Sequence, residues 1–412
     1  MQSHARPSLL RNRDVALLWT AGLISLTGNL AMFVALPVAV FSSTSSAWAT
    51  AATALAGAAP AVLVAQFAGV VADRVDRRRL LAAANVAMAV LTCAFLVLPD
   101  GSWWPYAAVN LIVMSAAQFV GPAEHALLGD LIPPSRLGEG ASLNSLNNNI
   151  ARLVGPALGG WVFAQLGFWA TVILDAATFL VAALLVVGVS KRRRPPAGPR
   201  SATVGLSAEW LLGARRVWTH PALRPLVLLV AVVMFGEGAI SALMAPFTGD
   251  VLGGGAGLLG AMLAAQAVGG IAGAWWSSRN ADRQPPLQIL AGASISSGLL
   301  LVVVFNYALL YPHAWPAVVL TGLAGFPFAV FGAAHGYALQ IYAPPELRGR
   351  VYSLSSGVLS LARLSGITVA GLAAERWSAL VINIDAAGYL VAGVIALRLT
   401  RRRRTLSGAP TQ

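Results

Sequence analysis

Ionisable side chains stand inside stretches of this sequence that are otherwise almost entirely apolar. Glu237 lies in the apolar run 223–249, and Ser241, Met244 and Thr248 follow it at four, seven and eleven residues. This spacing places the four side chains on one face of a helix, as the lining of a cavity. An acid in that setting can carry a proton or bind a cationic group. A carboxylate satisfied by local hydrogen bonds is the alternative.

Arg152 is a second ionisable residue of this kind. Ser145, Asn148 and Asn149 precede it on the same predicted helix face. A fixed cation flanked by amide donors would recognise an anionic or carbonyl-rich molecule, or would pair with a carboxylate.

The elements that position these residues are predicted to be membrane-spanning helices. Of the 412 residues, 57% are hydrophobic and 10% are charged, whereas about a quarter of a soluble domain is charged. Apolar runs of about 20 residues span a bilayer as helices, which satisfy their own backbone polar groups. The sequence therefore predicts an all-α membrane protein with twelve transmembrane helices, six on each side of the polar stretch 190–222.

The basic residues predict that both termini are cytoplasmic. In that orientation 25 of the 28 Lys and Arg lie in inner segments or beside them, and the exceptions are Arg152, Arg363 and Arg376. This is the asymmetry of the positive-inside rule. The basic residues behind the net charge of +13 are thus interpreted as contacts with anionic lipid that fix the topology, and not as a surface that binds nucleic acid. The single cysteine, Cys93, suggests neither a disulfide nor a metal site, and no cofactor motif is present.

Four segments follow from this pattern. They are a six-helix bundle at 1–189, a cytoplasmic linker at 190–222, a second six-helix bundle at 223–400 and a basic tail at 401–412. The linker begins with a charged, proline-rich stretch that cannot pack a core, and its later part, 206–218, has the pattern of a helix lying on the inner leaflet.

The two predicted bundles are related in sequence. Residues 133–160 match 344–371 at 11 of 28 positions without a gap, and 175–182 match 385–392 at 6 of 8 positions. The repeats align the fifth predicted span with the eleventh and the sixth with the twelfth. Duplicated halves with a site between them are typical of secondary transporters.

The segment GVVADRVDRRRLL (69–81) resembles the loop signature of the major facilitator superfamily. We expect Gly69 to permit close helix approach, and Asp73 to cap a helix N-terminus and pair with a loop arginine. The resemblance implies two pseudo-symmetric six-helix bundles that rock in alternating access. It also implies a conformational latch on the inner face, formed by Gly69, Asp73, Arg74, Arg77 and Arg78. The equivalent loop, 273–283, lacks the acidic residue at the matching position.

Two further stretches narrow the resemblance. Gly155, Pro156, Gly159 and Gly160 resemble the end of a motif found in the drug and proton antiporters of this superfamily. The first span is similar to the branch that contains macrolide efflux proteins and the enterobactin exporter. In that branch an aspartate often follows the glycine of the first span. Here the residue is Asn29, whose carboxamide does not ionise, so the side chain at this position cannot carry a proton.

The sequence thus predicts a secondary active transporter rather than an enzyme. The expected activity is proton-coupled export of a small amphipathic molecule, such as a drug, antibiotic, siderophore or other metabolite, by a monomer in a bacterial inner membrane. An importer or facilitator of the same fold is the alternative, and a membrane sensor or lipid-processing enzyme is a distant one. The candidates for contact with substrate or proton are Glu237, Arg152, Asn148, Asn149, Asn29, Ser241 and Arg363.

Several of the buried charges also have a structural interpretation. Arg363 is the repeat counterpart of Arg152, and Asp385 is that of Asp175. Twinned residues of this kind often serve packing or pairing between bundles. Glu124 and His125 lie near the inner end of the fourth span, where solvation at the interface accounts for them more simply than the alternative, a part in the inner gate.

Overall fold

The computed structural model of the chain describes residues 9–99, 101–190, 218–220, 223–280, 283–343 and 348–407. All regular structure within these ranges is helical. Nine helices in the described ranges are long and apolar enough to cross a membrane, or ten if the bent pair Ala47–Leu63 and Phe67–Arg74 forms one span. The predicted all-helical membrane class is confirmed.

The helices divide between two compact units. One unit is drawn from Met1–Ser45 and Ala56–Pro199, and the other from Ser46–Leu55 and Arg200–Gln412. The short stretch Ser46–Leu55 therefore packs with the second unit, where Gly371 leaves room for it: a Cβ on Gly371 would lie 2.8 Å from the Trp48 ring. The predicted bundle 1–189 assigned this stretch to the first half.

The described residues of the first part of the chain, up to residue 190, form eight α-helices. They are α1 (Arg13–Thr44), α2 (Ala47–Ala58), α3 (Pro60–Leu63), α4 (Ala65–Arg74), α5 (Arg77–Cys93), α6 (Trp103–Ala117), α7 (Val120–Leu131) and α8 (Leu137–Val187).

Local sequence fixes the ends of these helices. The Asn12 side chain accepts a hydrogen bond from the Asp14 amide at 3.0 Å and caps α1, which ends at Ser45 in a left-handed conformation. Gly167 interrupts α8 with φ of 82° and ψ of −177°, a conformation open to glycine but not to residues with a Cβ. The long apolar stretch 137–187 is therefore two helices joined at a sharp kink.

From residue 223 onwards, the part of the chain that the structure describes forms six α-helices. They are α9 (Leu223–Pro246), α10 (Gly255–Asn280), α11 (Pro286–Asn306), α12 (Trp315–Tyr342), α13 (Arg348–Ile382) and α14 (Ile384–Ser407). A π-helical turn, Phe247–Val251, follows α9 directly after Pro246. Residues 401–404, predicted as part of a separate tail, continue α14. The predicted interfacial helix at 206–218 lies outside the described residues except for Trp218.

Each unit has its own apolar core. In the first unit, Leu18, Leu81, Leu127 and Val186 are buried together in a cluster that joins α1, α5, α7 and α8. In the second unit one larger cluster runs from Leu223 to Ala396 through every long helix of the unit. These cores hold the polar side chains described next in fixed positions.

Candidate functional site

The first unit contains a partly open cavity of about 260 Å³, whose wall combines polar and apolar residues. Its polar lining comes from α1, α5, α7 and α8 and consists of Ser25, Asn29, Asn85, Glu124, His125, Asn144, Asn147 and Asn148. The remaining lining is apolar and includes Leu18, Leu26, Met88 and Phe179. The two kinds of surface together give the cavity an amphipathic character.

Glu124 enters this cavity because α1 has a glycine opposite it. A Cβ on Gly22 would lie 2.7 Å from Glu124 Oε1 and 3.3 Å from Asn147 Nδ2. These two side-chain atoms therefore lie at most about 6 Å apart. Any larger residue at position 22 would push the carboxylate away from its present place.

The amide groups of the wall are held by hydrogen bonds to backbone carbonyls of the helices. Asn147 Nδ2 donates to the Trp19 carbonyl at 2.8 Å, and Asn85 Nδ2 donates to the Leu81 carbonyl at 2.8 Å. Ser25 Oγ donates to Asn85 Oδ1 at 3.1 Å. Among the described residues, Asn147 Oδ1 is buried without a hydrogen-bond partner. Hydrogen bonds thus orient the Asn85 and Asn147 side chains, and Asn147 Oδ1 is left as an unused acceptor within the described part of the chain.

A second polar group lies in the second unit, around Glu237. The Tyr389 hydroxyl donates to Glu237 Oε1 at 2.9 Å, and Tyr389 itself is packed between Phe328 and Phe331, with ring centroids 5.3 and 5.4 Å away. Asp385 lies one helical turn before Tyr389 and is 2% exposed. Glu237 and Asp385 are close enough for their charges to interact.

No described cation compensates this pair of carboxyl groups. The ion pairs formed within the described ranges involve neither Glu237 nor Asp385. In the same part of the chain, Asp385 Oδ1 is also buried without a hydrogen-bond partner. Because an isolated buried charge is costly, this arrangement is suited to carboxyl groups that bind a proton or another cation.

The two units repeat the same contact between a glycine and an aspartate around these groups, and we call this repeated contact and the close helix packing around it the packing frame. A Cβ on Gly28 would lie 2.8 Å from Asp175 Oδ1, and a Cβ on Gly236 would lie 2.7 Å from Asp385 Oδ1. Each glycine thus packs against the aspartate of the last helix of its own unit. Asn29 and Glu237 directly follow the two glycines and are equivalent positions. Phe179 and Tyr389 are equivalent as well, since each stands four residues after its aspartate.

The glycines of the antiporter-like motif bring α8 against α1. A Cβ on Gly155 would lie 2.7 Å from Leu30 Cβ and 2.8 Å from the Thr27 carbonyl oxygen, and a Cβ on Gly159 would overlap the backbone of Ala31. Pro156 and Gly160 are buried in the same helix. These residues set the helix spacing on which the cavity depends, and none of them lines it.

Some residues predicted for substrate contact lie apart from the cavity. Arg152, Asn149 and Arg363 are exposed on their helices, and the arginines form no hydrogen bond or ion pair with the part of the chain that the structure describes. Ser241 Oγ donates to the Gly238 carbonyl of its own helix at 2.7 Å. Asn148, by contrast, lines the cavity and donates to the Asn144 carbonyl at 2.9 Å.

The basic loop between α4 and α5 is tied into the first unit. Arg77 Nη1 lies 2.6 Å from Asp130 Oδ1 and 3.0 Å from the Ala126 carbonyl oxygen. Arg78 donates to the carbonyls of Val186 and Val187 at the end of α8.

The structure adds further details of this loop. Asp76 caps α5, accepting a hydrogen bond from the Arg79 amide at 2.8 Å. Asp73 and Arg74 are exposed. The expected close helix approach at Gly69 is not observed, because no described atom outside its own helix turn lies within 4 Å of a Cβ placed there.

Comparison with known proteins identifies the family. The family described as transmembrane secretion effector matches residues 5–408, almost the whole chain. The chain belongs to this family of the major facilitator superfamily. It is a multi-pass membrane transporter and not an enzyme, as predicted.

Curated relatives of this transporter include named efflux proteins. The multidrug efflux pump Tap of Mycolicibacterium fortuitum is 27% identical over 93% of this chain and 95% of its own length. Tap of Mycobacterium tuberculosis strain H37Rv is 28% identical over 87% of each chain. Macrolide efflux protein A of Streptococcus pyogenes is 23% identical over 87% of this chain and 89% of its own.

Solved structures confirm the major facilitator fold of the transporter. The crystal structure of a bacterial homologue of the iron transporter ferroportin has a TM-score of 0.75 at 18% identity, covering 95% of this chain and 99% of that chain. The peptide transporter POT gives a TM-score of 0.74 at 16% identity, covering 94% of both chains.

One cavity residue of this transporter, Glu124, is not among the site residues that the sequence predicts. Its depth in the fourth span favours solvation at the interface, whereas in the structure it lines the cavity beside Asn147. The signal that could have found it is the pairing of Glu124 in one helix with the asparagine-rich run 144–149 in the next. Linking the two required knowing that Gly22 of a third helix leaves space between them.

Proposed function

We propose that this transporter is a proton-coupled secondary exporter of small amphipathic molecules in a bacterial inner membrane. Three of its relatives are named efflux proteins, which supports the outward direction over import. All are bacterial proteins, which supports the location. The basic segments near 191–194 and 401–404 would lie against anionic lipid on the cytoplasmic side, and the transporter would act as a monomer.

The proposed topology has twelve spans with both termini cytoplasmic. A continuous helix over the 51 residues of α8 would be about 77 Å long, more than twice the roughly 30 Å hydrocarbon thickness. The kink at Gly167 therefore supports two spans in this stretch. Counting the bent pair as one span and adding α14, which carries its basic residues at one end, gives twelve. Two six-helix bundles would then alternate in access to the two sides.

The single observation that carries the coupling proposal is the Glu237, Asp385 and Tyr389 cluster. Carboxyl groups inside a membrane without a cation are expensive, and they commonly mark proton pathways. The Tyr389 hydrogen bond holds Glu237 beside Asp385, so that one proton can stabilise both groups. In this proposal, proton binding at the cluster favours one access state and its release favours the other.

Proteoliposomes with an acidic lumen test this role. We expect Glu237→Gln to reduce proton-driven uptake of the dye Hoechst 33342 by at least tenfold, because the amide cannot exchange the coupling proton. Exchange of the dye without a proton gradient should persist. The matched control is Asp250→Asn, which removes an exposed carboxylate from the π-helical turn after the same helix. Wild-type proton-driven uptake by Glu237→Gln would overturn the coupling assignment.

A further inference from the structure

We propose that the cavity of the first unit is a subsite for the protonated amine of the transported molecule. This assignment rests on the proposed function and deepens it, since it names the chemical class of the cargo. It concerns the first unit alone and does not depend on which residue carries the coupling proton.

The charges around the cavity favour a cation. Glu124 is the only acidic residue of its described lining, and His125 is the only basic one. His125 is exposed and follows Glu124 directly on α7, so it points away from Glu124 around the helix by about 100°. No Lys or Arg of the described residues lines the cavity. An anionic group would therefore meet a carboxylate without a compensating arginine.

The hydrogen bonds of the wall favour a donor. The carboxamide nitrogens of Asn85, Asn147 and Asn148 all donate to backbone carbonyls, and Ser25 donates to Asn85. Asn29 and Asn144 also line the cavity with their carboxamide groups. Two acceptors remain beside the donors already used: the Glu124 carboxylate and Asn147 Oδ1, which is buried and unpartnered among the described residues. An ammonium group supplies two or three donors and no acceptor.

The placement of these acceptors fits one small polar head. Asn147 is 2% exposed, and its Nδ2 lies within about 6 Å of Glu124 Oε1, as the Gly22 geometry requires. An ammonium nitrogen bound to the Glu124 carboxylate would therefore lie near the Asn147 carboxamide. Buried acceptors of this kind discriminate strongly, because a ligand without donors leaves them unpaired.

The size and the apolar lining describe the rest of the ligand. A volume of about 260 Å³ is at the small end for drug-sized ligands, whose pockets measure roughly 300–1,000 Å³. The cavity therefore takes an amine and the carbon atoms next to it rather than a whole large drug. Leu18, Leu26, Met88 and Phe179 supply the surface for these carbon atoms.

Binding of a matched pair of fluorescent probes to the full chain in nanodiscs tests the assignment. Dansylcadaverine carries a terminal ammonium, and N-pentyl dansylamide is the same molecule without it. We expect the wild type to bind the ammonium probe at least tenfold more tightly, after subtraction of binding to empty nanodiscs. Glu124→Gln should abolish this preference and leave the affinity for the neutral probe within about twofold, which also reports that the variant is folded.

Two further variants complete the test. Gly22→Ala, whose Cβ would displace the Glu124 carboxylate, should reduce the preference as well. Glu237→Gln should keep it, because this residue belongs to the other unit. Since binding is measured without flux, a failure of proton coupling leaves this result readable. The proposal is overturned if Glu124→Gln retains the preference, if it weakens both probes equally, or if Glu237→Gln abolishes the preference.

Discussion

The two units share the same packing frame, but they carry different side chains at the equivalent positions around it. At the offset of 211 residues that aligns the repeats, Asn147 of the first unit corresponds to Val358 and Glu124 to His335. In the glycine and aspartate frame, Ser25 corresponds to Val233, which is fully buried in the large apolar core of the second unit. At the positions of Ser25 and Asn147, which line the cavity of the first unit, the second unit therefore has the apolar residues Val233 and Val358 in or against its core.

The reverse difference is found at the neighbouring positions. Asn29 and Phe179 of the first unit are Glu237 and Tyr389 in the second, and only the second pair forms a carboxylate to hydroxyl hydrogen bond. The comparison teaches that the frame was conserved between the halves while their polar groups diverged. This division supports separate sites for cargo, in the first unit, and for the coupling ion, in the second.

The largest loss of stability is expected from substitutions of the glycines at which two helices of the packing frame touch. Gly155 and Gly366 are repeat equivalents, and in both a Cβ would collide with the backbone of the facing helix, at Thr27 and Phe235 respectively. Each alanine substitution should destabilise the protein by about 1–3 kcal/mol, the usual cost of overpacking. A clear fall in the thermal unfolding midpoint in detergent is the expected measurement for both variants.

Gly129→Ala and Gly332→Ala are the matched controls for this prediction, one in each unit. Neither helix position has a described atom within 4 Å of the added Cβ, and alanine favours the helix by up to about 1 kcal/mol. The midpoint should therefore stay or rise. If the unfolding midpoint fell for Gly155→Ala but not for Gly366→Ala, the close helix packing would not stabilise the two units equally.

An intermediate loss of stability is expected when Tyr389 of the second unit is replaced by phenylalanine, the residue at the equivalent position of the first unit. Tyr389→Phe restores the residue type of Phe179 and removes the hydroxyl from Glu237, while the ring can keep its contacts with Phe328 and Phe331. A double-mutant cycle with Glu237→Gln should give a coupling free energy of about 0.6–1.7 kcal/mol, the range for polar contacts between membrane helices.

The unfolding free energies of the four proteins in that cycle supply the measurement. Tyr352→Phe serves as the control, because this hydroxyl donates instead to the Gly336 carbonyl and should show no coupling to Glu237. Coupling near zero between Tyr389 and Glu237 would mean that their hydrogen bond does not hold the acidic cluster together.

The sequence predicted much of the fold and less of the site. Apolar run length, the distribution of arginines and the repeat near 133–160 predicted the helical class and the two related halves, because these depend on transfer to lipid and on local pattern. The kink at Gly167 was foreseen as a boundary between spans. The packing of Ser46–Leu55 with the second unit was not foreseen, since it depends on the distant Gly371.

The candidate site shows the same limit. Glu237 was found from its depth in an apolar run, but its partners Tyr389 and Asp385 lie about 150 residues away and carry no local signal that connects them. Asp385 was interpreted as structural because it is twinned with Asp175. In the structure, the residues that are repeated in both units, such as Asp175 and Asp385, form the packing frame. The residues that differ at equivalent positions, such as Asn29 and Glu237, distinguish the two units chemically.

The smallest effect is expected in the cytoplasmic loops, which also differ between the units. In the first unit Arg77 pairs with Asp130 at 2.6 Å. In the second, Arg279 stacks on the Trp275 ring at 4.1 Å and Arg283 donates to Asn280. Asp130→Asn should cost less than about 1 kcal/mol, because the pair is partly exposed and Arg77 keeps its bond to the Ala126 carbonyl.

Thermal unfolding at low and at high salt measures this contribution. The loss caused by Asp130→Asn should shrink as salt screens the pair, and Arg283→Gln in the second unit should change little at either salt concentration. A large loss that salt does not reduce would instead make Arg77 part of a buried network that holds the loop permanently. A weak pair suits the proposed alternation of access, because a contact worth less than about 1 kcal/mol can break and form in every cycle without trapping the transporter in one state.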